Sequence, residues 1–154
     1  MPFPRPLASQ KTLDFSFSGL KTAVLLYVEK HGREAIVEND QHLRDLAASF
    51  QAAAIDSLLG KTRRALERER IESLAVVGGV ACNRGLRAAL AEMKKRGTGG
   101  LKRLWIPPPV LCTDNAAMIA GLAGQVPREN KRPLDLALNA DPGWELEESL
   151  EPSM

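Results

Sequence analysis

Leu13, Phe15 and Phe17 alternate with Asp14, Ser16 and Ser18, which is the period of a half-buried strand. The period then changes. Leu20, Val24, Tyr27, Val28 and His31 fall at helical spacing, which predicts a helix with Ser18 as N-cap and Gly32 as stop. A longer stripe of Leu43, Leu46, Ala47, Phe50, Ala53, Ala54 and Leu58 predicts a helix over 40–70, capped by Asp40. Lys61 to Arg70 extend it as a solvated end, with Arg63–Glu67 and Arg68–Glu72 spaced for i,i+4 ion pairs.

Leu74-Ala75-Val76-Val77 is a short continuous apolar run, as expected of a strand buried on both faces. Gly78-Gly79-Val80-Ala81-Cys82-Asn83 follows at once. Leu86, Leu90 and Met93 mark another helix, ending near Gly97, and residues 97–100 read as a loop. Leu104-Trp105-Ile106 predicts a second short strand, stopped by Pro107-Pro108-Pro109. Thr113 is placed to cap a helix over 114–124 that is apolar on nearly every side and expected to be buried. Pro127 and Pro133 bracket a polar linker, and Leu134–Leu138 reads as a last strand. Residues 1–12 are an irregular, proline-rich lead-in. Strand–helix alternation gives an α/β layer fold with a partly parallel sheet.

At 154 residues the chain fits one domain or slightly more, with 44% hydrophobic and 26% charged residues, ordinary for a soluble protein. No apolar run approaches a membrane span, and the amino terminus does not read as a secretory signal. Cys82 and Cys112 form neither a disulfide framework nor a metal-binding CxxC, so a reducing cytoplasm is expected. The net charge of +2 does not by itself imply a polyanionic partner. Locally the charge is uneven: residues 84–103 hold seven bases against Glu92, and residues 134–154 hold six acids and no base. The basic stretch suits an RNA backbone or, more blandly, a solvated helix face.

Three segments carry candidate chemistry. In open α/β sheets ligands bind beyond the carboxyl ends of the strands. Gly78 and Gly79 there let backbone approach a ligand, and Asn83 is placed either to bind a nucleotide or simply to cap a helix. Asp114, in Cys112-Thr113-Asp114-Asn115, is either a first-turn acid favoured by the helix dipole or a metal ligand. Ser16-Phe17-Ser18-Gly19-Leu20-Lys21-Thr22-Ala23 offers hydroxyls and a lysine to a phosphate, or a cap with a solvent-facing lysine. His31 and His42, the only histidines, lack HExxH or HxxxH spacing; they read as a helix-end and a first-turn residue.

Taken in order, Leu13-Asp14-Phe15-Ser16-Phe17-Ser18-Gly19-Leu20-Lys21-Thr22, Val76-Val77-Gly78-Gly79-Val80-Ala81-Cys82-Asn83 and Pro107-Pro108-Pro109 followed by Leu111-Cys112-Thr113-Asp114-Asn115-Ala116-Ala117-Met118-Ile119-Ala120 resemble the C-terminal half of the bacterial tRNA N6-adenosine threonylcarbamoyltransferases. This is the TsaD family, formerly labelled glycoprotease or O-sialoglycoprotein endopeptidase. The likeness covers about residues 3–146. It implies a ribonuclease-H-like lobe of the actin-like (Hsp70, actin, sugar kinase) ATPase fold over 13–140, with an acidic tail at 141–154. It implies transfer of a threonylcarbamoyl group from threonylcarbamoyl-AMP to N6 of adenosine 37, in tRNAs reading ANN codons, with partner proteins TsaB and TsaE.

It further implies one divalent metal, iron or zinc, held by two histidines of an N-terminal lobe and an aspartate matching Asp114. The adenine-nucleotide contacts match Gly78, Gly79 and Asn83. The N-terminal lobe with its HxxxH motif has no counterpart here, and His31 and His42 do not match it. The chain alone is therefore expected to hold no tight metal site, to be inactive in transfer, and to expose an interlobe surface open to self-association. The alternatives are a non-catalytic scaffold of the same complex, a sugar kinase of the same superfamily, and a metallopeptidase, which the absence of HExxH disfavours.

Overall fold

The computed structural model describes residues 2–6 and 12–125 of the chain, which divides into two units, 1–115 and 116–154. In the first unit, α1 (Ser18–His31) forms where the sequence switches to helical period. Leu20 is fully buried, and Ala23, Val24, Tyr27 and Val28 follow on the same side. Phe17 rather than Ser18 occupies the N-cap, without a side-chain cap bond; Ser18 is already helical. Gly32 ends α1 at φ 78°, a conformation glycine adopts without steric cost. A six-residue helix absent from the sequence reading, α2 (Arg33–Glu38), follows and buries Ile36.

Asn39, not Asp40, caps α3 (Asp40–Glu69): its Oδ1 accepts from the His42 N–H at 3.0 Å. Leu46, Ala53, Ser57, Lys61 and Leu66 are the buried positions of α3. Lys61 thus continues the packed face rather than a solvated end, and its Nζ donates to the Thr12 carbonyl at 2.5 Å. Of the two expected ion pairs on this helix, Arg63–Glu67 forms at 3.9 Å. Glu72 lies beyond the helix and pairs instead with Lys102, leaving Arg68 to Glu69.

The predicted strands both appear one residue early, and the first is one residue shorter than expected. β1 (Ser73–Ala75) and β2 (Arg103–Trp105) pair in parallel, Leu74 opposite Leu104. Between them runs α4 (Arg84–Lys95), with Leu86, Leu90 and Met93 buried, so β1–α4–β2 is one crossover unit. At Gly85 a Cβ would stand 2.9 Å from Ile55 Cδ1; its absence lets α4 approach α3 closely. Two apolar clusters form the core: Phe3, Leu20, Ile36, Leu46 and Ala53; and Leu66, Met93 and Leu101.

One expectation in this unit is corrected. Residues 12–17 form no strand: a strand's backbone groups need a neighbouring ladder, and the described sheet consists of β1 and β2 alone. Phe15 is 51% exposed. Within the lead-in, Phe3 is buried in the core. Arg5 pins the lead-in by donating to Asp56 Oδ2 at 2.6 Å and to the Phe3 carbonyl at 2.7 Å. In the second unit α5 spans Ala116–Gln125, starting two residues late, and none of its residues is buried, contrary to the sequence expectation. The expected linker at 127–133 and strand at 134–138 lie outside the described residues. Among the described residues no helix is long and apolar enough to cross a membrane.

Candidate functional site

The crossover unit brings the carboxyl ends of β1 and β2 side by side. Their last ladder bond runs from the Val76 N–H to the Trp105 carbonyl at 2.9 Å. Beyond it both strands break into tight turns. After β1, Gly78 sits at φ 85°, and a 3-10 turn over Gly79–Cys82 is closed by Ala81 N–H donating to the Gly78 carbonyl at 2.9 Å. After β2, the prolines remove backbone donors, and a second 3-10 turn forms over Pro109–Leu111.

One side chain ties the two turns together. Arg87, in the first turn of α4, donates from Nε to the Ala81 carbonyl at 2.5 Å and from Nη2 to the Pro107 carbonyl at 2.6 Å. Its Nη2 also reaches the buried Cys112 sulfur at 3.3 Å. The thiols add weaker bonds, Cys82 to the Pro109 carbonyl at 3.6 Å and Cys112 to the Pro107 carbonyl at 3.4 Å. The segments 78–83 and 107–112, singled out separately in the sequence, are therefore one clamped structure. The sequence reading counted Arg87 among surface bases; the available signal was its position four residues after Asn83, one helical turn into α4.

Asn83 caps α4, its Oδ1 accepting from the Leu86 N–H at 3.0 Å, and its Nδ2 donates to Gln51 Oε1 at 3.1 Å. The capping role weighed from sequence is real. The same residue lines an apolar cavity of about 250 Å³ with Phe50, Ala54, Leu58, Val80 and Leu86. Val80, which lines it, is 65% exposed, and Val77 and Val110 in the segments after β1 and β2 are 70% and 73% exposed.

Asp114 follows the clamped loop by two residues and is exposed. Beside it the Asn115 amide donates to the Thr113 carbonyl at 2.8 Å. Among the described residues no three His, Cys, Asp or Glu side chains gather to hold a metal. His31 and His42 are engaged elsewhere: the rings of Tyr27 and His31 stack at 4.0 Å, and His42 Nε2 lies 2.8 Å from the Tyr27 hydroxyl. The third candidate segment, 16–23, starts α1, whose packing partners are α2 and α3, and Lys21 is exposed.

A parallel β–α–β unit with a glycine turn, a capped helix start and a carboxylate-bearing loop at the strands' carboxyl ends defines an α/β protein with its candidate site in the usual crevice. The family model described as tRNA N6-adenosine threonylcarbamoyltransferase matches residues 1–121, and the chain belongs to that family, TsaD. Relatives of that name share 49% identity over 147 residues in Trichlorobacter lovleyi, and 44% over 148 residues in Syntrophotalea carbinolica. These alignments cover 95% and 96% of this chain and 41% of each relative. A relative of the same name in Geobacter metallireducens is 53% identical over 119 residues, 77% of this chain and 33% of its own. The chain thus spans about two fifths of the length of the curated relatives it matches.

Proposed function

We propose that this chain supplies the C-terminal lobe of a transferase that moves threonylcarbamoyl from threonylcarbamoyl-AMP to N6 of adenosine 37, in tRNAs reading ANN codons. The observation that carries the reading is the Arg87 clamp: it holds the glycine turn and the Asp114 loop together where an α/β fold binds ligands. In this reading the lobe is ribonuclease-H-like and actin-like, comprises residues 13–140, and is flanked by the lead-in 1–12 and an acidic tail, 141–154. TsaB and TsaE are its partners and the cytoplasm its compartment.

Gly78 and Gly79 present side-chain-free backbone to the adenylate, and Asn83 fixes the start of α4, whose free N–H groups favour an anion. The cavity of about 250 Å³ beside Asn83 falls below the roughly 300–1,000 Å³ of complete small-molecule sites. In this reading it is one wall of a site that an N-terminal lobe completes. The same holds for the metal. Asp114 provides one exposed carboxylate, and no group of three His, Cys, Asp or Glu side chains gathers among the described residues, so these do not by themselves fit a metal site. Asp114 is assigned as the lobe's single contribution to an iron or zinc ion whose other ligands come from outside them.

The experiment is a graft. This chain replaces the matching portion of the Trichlorobacter lovleyi relative, and tRNA is assayed for threonylcarbamoyladenosine. The graft is expected to modify tRNA, and Asn83→Ala and Asp114→Ala are each expected to abolish it. Normal modification by both variants would overturn the assignment.

A further inference from the structure

We propose that Cys82 and Cys112 are a peroxide-oxidisable thiol pair, whose disulfide joins the glycine turn after β1 to the loop after β2.

Two sets of contacts bring these residues together. The Cys82 sulfur lies 3.6 Å from the Pro109 carbonyl oxygen, and the Cys112 N–H donates to that same oxygen at 3.0 Å. One atom therefore touches the side chain of one cysteine and the backbone of the other. The reverse contact runs through Arg87. Its Nε donates at 2.5 Å to the Ala81 carbonyl, in the peptide group that leads into Cys82, and its Nη2 stands 3.3 Å from the Cys112 sulfur. Each cysteine's side chain thus reaches the other's backbone across a single bridging group. The turns over Gly79–Cys82 and Pro109–Leu111 pack against each other and hold that arrangement. A disulfide needs α-carbons about 4.4–6.8 Å apart, and residues bridged from both directions are ones that rotation about Cα–Cβ can join. Both are free thiols in this structure, and they are the only cysteines of the chain, so an intramolecular bond has one pairing.

Oxidation leaves no buried carbonyl without a donor. The thiols give only weak S–H bonds, Cys82 to the Pro109 carbonyl and Cys112 to the Pro107 carbonyl. When those hydrogens are lost, the Pro109 carbonyl keeps the Cys112 N–H and the Pro107 carbonyl keeps Arg87 Nη2 at 2.6 Å. Exposure sets the order of events. Cys82 is half-buried and Cys112 only 4% exposed, so hydrogen peroxide meets Cys82 first and Cys112 stands behind it as the resolving thiol. The Cys82 sulfur, its proton given to solvent, attacks one peroxide oxygen. The O–O bond breaks, hydroxide leaves and is protonated to water, and Cys82 becomes a sulfenic acid. The Cys112 sulfur then attacks the Cys82 sulfur, the S–O bond breaks, a second water leaves and the S–S bond forms. Two thiols have lost two hydrogens and one peroxide has become two waters. The bond crosses the gap that Arg87 spans and fixes the spacing of the glycine turn and the Asp114 loop until a dithiol reduces it.

The test exposes the full chain, reduced and desalted, to stoichiometric hydrogen peroxide. Intact mass, thiol content after unfolding and a non-reducing peptide map are read. A monomer about 2 Da lighter is expected, with both thiols gone, a peptide linking Cys82 to Cys112, and both thiols restored by dithiothreitol. In Cys112→Ser the reaction is expected to stop at a sulfenic acid on Cys82 that dimedone captures. In Cys82→Ser the remaining Cys112 is expected to stay a thiol at the dose that converts the unsubstituted chain. The unsubstituted chain and Cys82→Ser keep the proposal testable if Cys112→Ser misfolds. Survival of both thiols, a disulfide formed only between two copies, oxidation of Cys82 past the sulfenic acid with Cys112 untouched, or undiminished oxidation of Cys112 in Cys82→Ser would overturn it. None of these readouts involves transfer, so the thiol pair stands or falls separately from the transferase reading.

Discussion

Arg87 is the residue on which the candidate site depends. Its guanidinium replaces water for two backbone carbonyls from different loops, and charge-assisted bonds of this kind contribute about 1.5–3 kcal/mol each. Arg87→Lys offers one flexible point charge in place of a planar fork, so it cannot hold both loops. We expect it to lower unfolding free energy in urea by about 2–3 kcal/mol; a loss below about 0.5 kcal/mol would show that the loops are held without it. Asn83 has a separable pair of roles. Asn83→Ala is expected to cost about 1 kcal/mol through the lost cap, whereas Asn83→Asp keeps the accepting oxygen and most of the stability. If the side chain also serves the reaction, the aspartate variant of the graft stays folded and loses transfer. Much of this scale was legible in the sequence: Gly78, Asn83 and Asp114 stand out by type and position. Arg87 and Lys61 did not, because a cation reads as surface until the carbonyls that receive it are placed.

Elements with a local signal were readable, and those that depend on distant partners were not. α1, α3 and α4 follow from helical stripes ended by Gly32, Arg70 and Gly97. α2 is too short to show a period. The Leu13–Phe17 alternation is as clean as any in the chain, yet it forms no strand, because alternation marks a two-faced segment but a ladder needs a neighbour. β1 and β2 are also short, three residues each, since a parallel pair is stabilised by the layers around it. Two substitutions test the element-level account in thermal melts. Leu20→Ala, at the fully buried contact of α1, is expected to cost about 2–5 kcal/mol. Gly78→Ala is expected to cost about 1–2 kcal/mol, because its φ of 85° strains any residue with a Cβ while open space surrounds the position. A neutral Gly78→Ala would mean that the turn after β1 is not fixed in this shape.

Across the molecule, polarity is distributed in a way no single segment reveals. Val77, Val80 and Val110 stand exposed in the segments that follow β1 and β2, whereas the basic excess lies in residues 84–103. Exposed apolar side chains of that kind drive association, so the chain alone is expected to form concentration-dependent oligomers in sedimentation velocity runs, and Val80→Asp with Val110→Asp to return it to a monomer. A strictly monomeric wild type at high concentration would show these valines to be too dispersed to bind. The central claim is that the clamped loops at the carboxyl ends of β1 and β2 are one wall of a threonylcarbamoyl-transfer site. The most direct measurement is mass-spectrometric detection of threonylcarbamoyladenosine in tRNA treated with the graft of this chain onto the Trichlorobacter lovleyi relative. Modification is expected, and is expected to disappear with Asn83→Ala and with Asp114→Ala in folded protein; modification undiminished in both would contradict a transfer site at these loops.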